Sequence, residues 1–126
     1  MAFFQLPVLP ERVLDARLHR MLTRSGLDAD HARRYAARAG ALTGPLNWYR
    51  AIPLERWRSR PVPAPTLLVH GGRDRFITRT AFDLSRRWIS GPCRSELLED
   101  VPHWVPEQAP RRLTDLVRAH LAATPV

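Results

Sequence analysis

"TLLVHGGRDRFITRTAFDLSRRWISGPCRSELLEDVPHW", residues 66 to 104, holds two short apolar runs on either side of one amphipathic stretch. TLLVH (66 to 70) is a continuous apolar run, the pattern of a buried strand. TRTAFDLSRRWI (78 to 89) predicts a helix with Thr78 as N-cap, and RSELLE (94 to 99) predicts a second strand. A last helix is expected near Pro110 to Ala122. Strands joined through one helix should run parallel, with a right-handed crossover. The loops after them, GGRDRF and VPHW, then emerge at the same end of the sheet. That carboxyl end is where open α/β sheets bind ligands.

Upstream the pattern is helical. In PERVLDARLHRMLTRSG (10 to 26), Val13, Leu14, Leu18, Met21 and Leu22 share one stripe, which predicts a single amphipathic helix. A second helix is expected from Asp28 to about Ala41, capped by Asp28 or Asp30. TGPLNWYRAIP opens a third at Pro45, which Pro53 should end or kink. RSRPVPAP (58 to 65) then packs three prolines into eight residues and cannot continue a helix. The expected organisation is a helical segment over 1–60 and a parallel βαβα unit over 61–126, of α/β class.

Composition narrows the function. With 126 residues, 44% of them apolar, the chain can pack a core but forms one domain at most. The lone Cys93 forms no internal disulfide, and its place at the amino end of the second strand sets it opposite the crevice. Gln5, Pro7 and Pro10 interrupt the amino-terminal apolar residues before a signal peptide develops, and no apolar run reaches membrane-spanning length. A soluble, cytoplasmic protein is expected. The net charge of +8 invites phosphate binding, but all twenty basic residues are Arg and they are spread along the chain. Arg12, Arg17, Arg20 and Arg24 look like the wet side of a helix. A non-catalytic basic protein binding nucleic acid or a partner chain is therefore the disfavoured alternative. His19, His31, His70, His103 and His120 include no i, i+4 pair, so no metal site is expected. HGGRD lacks the spacing of a dinucleotide fingerprint, and no cofactor is implied.

Asp74 and His103 should face each other across the crevice. A carboxylate bonded to one imidazole nitrogen fixes the tautomer and stabilises the imidazolium, leaving the other nitrogen to take a proton. Spacing alone leaves a second reading equally open, in which Asp74 caps a turn and His103 is a solvated loop residue.

The segments PTLLVHGGRDRFI and LLEDVPHWVPEQAPRRLTDLVRAHL are similar to the carboxyl-terminal part of α/β-hydrolases. FFQLPVLPE and LTGPLNWYRA resemble the helical cap of the epoxide hydrolase branch. The resemblance covers nearly the whole chain. It implies a partial α/β-hydrolase fold, a cap segment followed by the terminal βαβα unit. It also implies an orienting acid at Asp74, a water-activating base at His103 and a cap tyrosine at Tyr49 donating to an epoxide oxygen. A core aromatic packed beside Trp48 is the other reading of Tyr49. The sequence departs from the branch in two ways. Phe3 stands where a first cap tyrosine is expected, which leaves room for a haloalkane dehalogenase-like or esterase-like hydrolase. The nucleophile and its elbow lie in a part of the family's fold that precedes the cap. Two short strands would leave sheet edges open. The expectation is thus a hydrolase fragment, inactive alone, acting on a small apolar epoxide or ester once intact. The expected partners are a separate amino-terminal half or, through the open sheet edges, further copies of the chain.

Overall fold

A computed structural model describes residues 2–38, 40, 42–54 and 60–124. The chain divides into two compact units, Met1–Arg58 and Ser59–Val126.

In the first unit a single 3-10 turn, Ala2–Gln5, leads into α1 (Leu9–Asp15), α2 (Leu18–Arg24), α3 (Ala29–Ala36) and α4 (Thr43–Ala51). The stripe from Pro10 to Gly26 is not one helix. Arg17, at φ −119° and ψ −4°, interrupts it between α1 and α2. The break carries no local mark, since Asp15, Ala16 and Arg17 include neither proline nor glycine. Leu18 is buried and α2 packs on α3. Asp28 caps α3: its Oδ1 accepts the amides of Asp30 and His31 at 3.1 and 3.0 Å. This helix stops at Ala36, short of the expected end, and residue 41 lies outside the described residues. α4 starts two residues before Pro45 and gives way to a 3-10 turn over Ile52–Leu54, where Pro53 has no amide to donate.

Arg50 of α4 organises the start of the chain. Its guanidinium meets Glu11 through both carboxylate oxygens, at 2.6 and 3.0 Å, and donates to the Phe4 and Leu6 carbonyls at 3.0 and 2.8 Å. Those bonds span Val8, whose φ of 63° is a strained value for a β-branched residue.

The second unit is a two-stranded parallel sheet with helices. β1 (Thr66–Gly71) pairs with β2 (Cys93–Leu98) in a register running from Thr66 opposite Cys93 to Gly71 opposite Leu98. Both strands lie within one residue of their expected positions, and the arrangement is compatible with a partial α/β fold. Residues 58 and 59 of the proline connector lie outside the described residues, but Val62 makes an isolated parallel bridge with Ile89. α5 (Arg79–Ser85) is capped by the Thr78 hydroxyl, which accepts the Ala81 amide at 3.1 Å. It ends earlier than expected, in a 3-10 turn over Arg86–Trp88. After β2 come α6 (Val105–Gln108) and α7 (Pro110–Ala123), separated at Ala109 because Pro110 disfavours helical geometry in the residue before it. Leu98, Val101, Val105 and Ala109 form the buried core, with Val69, Leu113 and Leu116 packed against them.

Two glycines fix how the strand ends meet. A Cβ at Gly71 would fall 2.5 Å from the Val101 carbonyl oxygen and closer still to that of Pro102. A Cβ at Gly72 would fall 2.6 Å from Glu99 Cα. Only glycine permits this approach. Gly71→Ala should therefore lower the urea stability of the chain by more than about 1 kcal/mol, or prevent folding of the second unit. Gly44, in the first turn of α4, has nothing within 4 Å of its Cβ position. Gly44→Ala should be neutral or stabilising by up to about 1 kcal/mol, and equal effects of the two substitutions in the same denaturation assay would refute the close approach.

Candidate active site

The close approach joins the two loops. The Gly72 amide donates to the Leu98 carbonyl at 2.8 Å, and the Arg73 amide to that of Val101 at 3.0 Å. The Asp74 amide closes a turn onto the Gly71 carbonyl at 3.1 Å. These bonds leave Asp74 pointing at the loop after β2. His103 Nδ1 lies 2.8 Å from Asp74 Oδ2. The carboxylate side chain is 5% exposed and the imidazole 34%.

Each oxygen of Asp74 has its own partners. Oδ1 accepts the amides of Phe76 and Ile77 at 2.7 and 3.1 Å, so Asp74 does cap a turn while it also meets the histidine. The two readings that spacing left open describe one residue. Burial alone would push the Asp74 carboxyl up, but the bond from His103 and the two amide bonds outweigh it and hold it below the ordinary carboxylate value. An ionised Asp74 accepts the Nδ1 proton of His103, which fixes the tautomer with Nε2 as the free base.

Phe76 and Trp104 pack beside the His103 ring, with centroids at 4.8 and 5.4 Å. A cavity of about 400 Å3 opens on the pair. It is mostly apolar, lined by Leu68, Val69, Ile77, Phe82 and Val105 among others, with Asp74, His103 and His70 as its titratable groups. His70 was absent from the expected site. It sits in the apolar run of β1, where a histidine reads as a strand-face residue, and the sequence gives no sign that the turn through Gly71 and Gly72 returns Asp74 to it.

Tyr49 belongs to the first unit. Its half-buried ring packs against Phe4 at 5.3 Å and edge-on to Trp48 at 5.2 Å. The Gln5 amide donates to its carbonyl at 3.2 Å, and the Arg50 clasp follows it directly. Among the described residues, no three His, Cys, Asp or Glu side chains gather as a metal site. No helix among them is long and apolar enough to cross a membrane.

No family model matches the chain. Epoxide hydrolase 3 of Xenopus tropicalis is 28% identical over 94% of the chain, and that of Mus musculus 30% over 96%. The AB hydrolase superfamily protein YfhM of Bacillus subtilis is 28% identical over 95%. The chain spans 37% of the length of the first two and 46% of the third. A parallel strand pair with an acid and a histidine on adjacent carboxyl-end loops is compatible with a partial α/β fold. Relatives bearing these names over most of the chain support an epoxide hydrolase-like α/β-hydrolase family.

The acid side of the stability profile follows from Asp74. Its folded pKa lies below the ordinary 3.8, so the unfolded chain binds more protons around and below that value. The stabilisation is complete above the ordinary value and is lost as pH falls through the folded one. Asp74→Asn should remove this component, flattening the acid limb of thermal unfolding. Among the described residues Glu11, Asp28 and Asp100 also contribute to the slope that remains, held low by the Arg50 side chain, the His31 amide and the Arg112 side chain respectively. An unaltered acid limb in Asp74→Asn would contradict the assignment.

Proposed function

We propose that this chain supplies the water-activating part of an epoxide hydrolase-like enzyme. The observation that carries the proposal is the 2.8 Å bond between a buried, ionised Asp74 and His103 at the mouth of an apolar cavity. A carboxylate nucleophile from sequence outside these 126 residues attacks an epoxide carbon. The C–O bond of the ring breaks, and Tyr49 donates its hydroxyl proton to the oxygen that leaves. Water then attacks the ester carbonyl while His103 Nε2 takes its proton and Asp74 stabilises the imidazolium. The acyl C–O bond breaks, the leaving alkoxide takes the proton from His103 to give the diol, and the proton of the freed carboxyl group returns to the Tyr49 phenolate through solvent. The relatives' names and the apolar cavity favour a small apolar epoxide as substrate. A chain spanning 37% of the relatives' length, with acid and base but no elbow nucleophile in its sequence, is expected to be inactive alone.

The test supplies the chain with the amino-terminal segment of a relative and follows epoxide turnover by rapid quench. His103→Ala should give a burst of covalent intermediate without turnover, because alkylation does not need the base. Tyr49→Phe should slow alkylation by an amount typical of losing one oxyanion donor, about 2.7–4 kcal/mol in barrier. Normal turnover by His103→Ala would end the hydrolase scheme, and epoxide opening unchanged by Tyr49→Phe would remove the epoxide assignment.

A further inference from the structure

Asp74 Oδ2 faces a second imidazole. His70 Nδ1 lies 3.9 Å from that oxygen, and its side chain is only 9% exposed where that of His103 is 34% exposed. Its ring stacks on Phe82 of α5 at 4.9 Å with 17° between the planes, which fixes the direction in which Nδ1 points. A separation of 3.9 Å is beyond a hydrogen bond but within the range at which a charge or an N–H dipole acts on a carboxylate. With Oδ1 taken by the amides of Phe76 and Ile77, Oδ2 is the oxygen left for both histidines.

We propose that His70 is a positioning residue of the site, a second imidazole that holds Asp74 Oδ2 from the buried side and keeps the carboxylate in place when His103 moves or is lost. The groups lining the cavity with His70 come from β1, its following loop, α5, the loop after β2, α6 and α7. Asp74 and His103 are the titratable ones; the rest, Phe82, Ser85, Val105, Pro106 and Leu113 included, carry no charge. Oδ2 is therefore the charged group that His70 Nδ1 faces, and it selects the tautomer of a ring already aimed by Phe82. A lone pair on Nδ1 facing an anion would be repelled, so the proton resides on Nδ1, and Nε2 is left as the acceptor. One carboxylate thus sets the tautomer of two bases. The role in hydrolysis rests on the function proposed above, whereas the placement of Asp74 is read without turnover.

Two measurements on the 126-residue chain decide the matter. Long-range 1H–15N spectra at neutral pH should show His70 with its proton on Nδ1, the reverse of the preference of an isolated imidazole. The carboxyl 13C resonance of Asp74 is then followed against pH in three chains. The wild type titrates below the ordinary aspartate value. His103→Ala loses the largest of the lowering bonds and should rise, with the amides of Phe76 and Ile77 still held on Oδ1. His103→Ala with His70→Phe should rise further, because Oδ2 then faces no imidazole. A rise in His103→Ala as large as in the double variant overturns the proposal, as does a proton on Nε2 of His70 in the wild type. The tautomer decides alone if a variant fails to fold. A reconstituted enzyme without activity would sink the hydrolase reading and leave both spectra standing.

Discussion

At the carboxyl end of the sheet, the backbone of Gly71 and Gly72 lies against that of Glu99, Val101 and Pro102 with no space for a side chain between them. Amide bonds from Gly72 and Arg73 to the Leu98 and Val101 carbonyls lock this contact. Asp74 follows directly in one chain segment and His103 in the other, so the backbone brings the two residues within reach and their rotamers close the 2.8 Å bond. A site built this way needs few residues. It depends on two glycines that carry no chemistry.

The same contact creates an electrostatic problem and its solution. An aspartate that is 5% exposed would become neutral if nothing bonded to it, since burial disfavours the charged form. The turn that brings Asp74 into the site also aims the amides of Phe76 and Ile77 at Oδ1. Oδ2 is then free to orient imidazoles, which is the work a base-activating acid has to do. The capping role and the pairing role need the same ionised carboxylate, and each makes the other cheaper in desolvation.

Legibility in the sequence followed the range of the interaction. The Thr78 and Asp28 caps involve neighbours two or three residues away; residue type alone placed the first and narrowed the second to Asp28 or Asp30. The strands showed as apolar runs, with an end uncertain by one residue because Cys93 pairs opposite Thr66 through backbone that has no pattern. The break at Arg17 was hidden, because no proline or glycine marks it. Asp74 and His103 could be brought to one crevice by the parallel-strand rule, although their distance could not. His70 and the Arg50–Glu11 clasp, the latter across 39 residues, arise from returns of the chain that no local signal announces.

Neither unit depends on a large core for the placement of its chemistry. The first buries Pro10, Leu18, Leu27, Ala32 and Leu46, and the second Leu98, Val101, Val105 and Ala109. Each leucine or valine among them contributes about 1.5–3 kcal/mol when fully buried, which stabilises a unit without selecting where a polar group points. Direction comes from polar contacts beside the cores. Arg50 fastens Phe4, Leu6 and Glu11 with a planar fork that a lysine could not reproduce, and Phe4 in turn bears on the Tyr49 ring. In the second unit Phe82 and the amides of the Asp74 turn do the equivalent work for His70 and Asp74. The candidate residues are therefore aimed by their immediate neighbours, and the geometry of each unit's chemistry is a property of that unit's own short-range contacts.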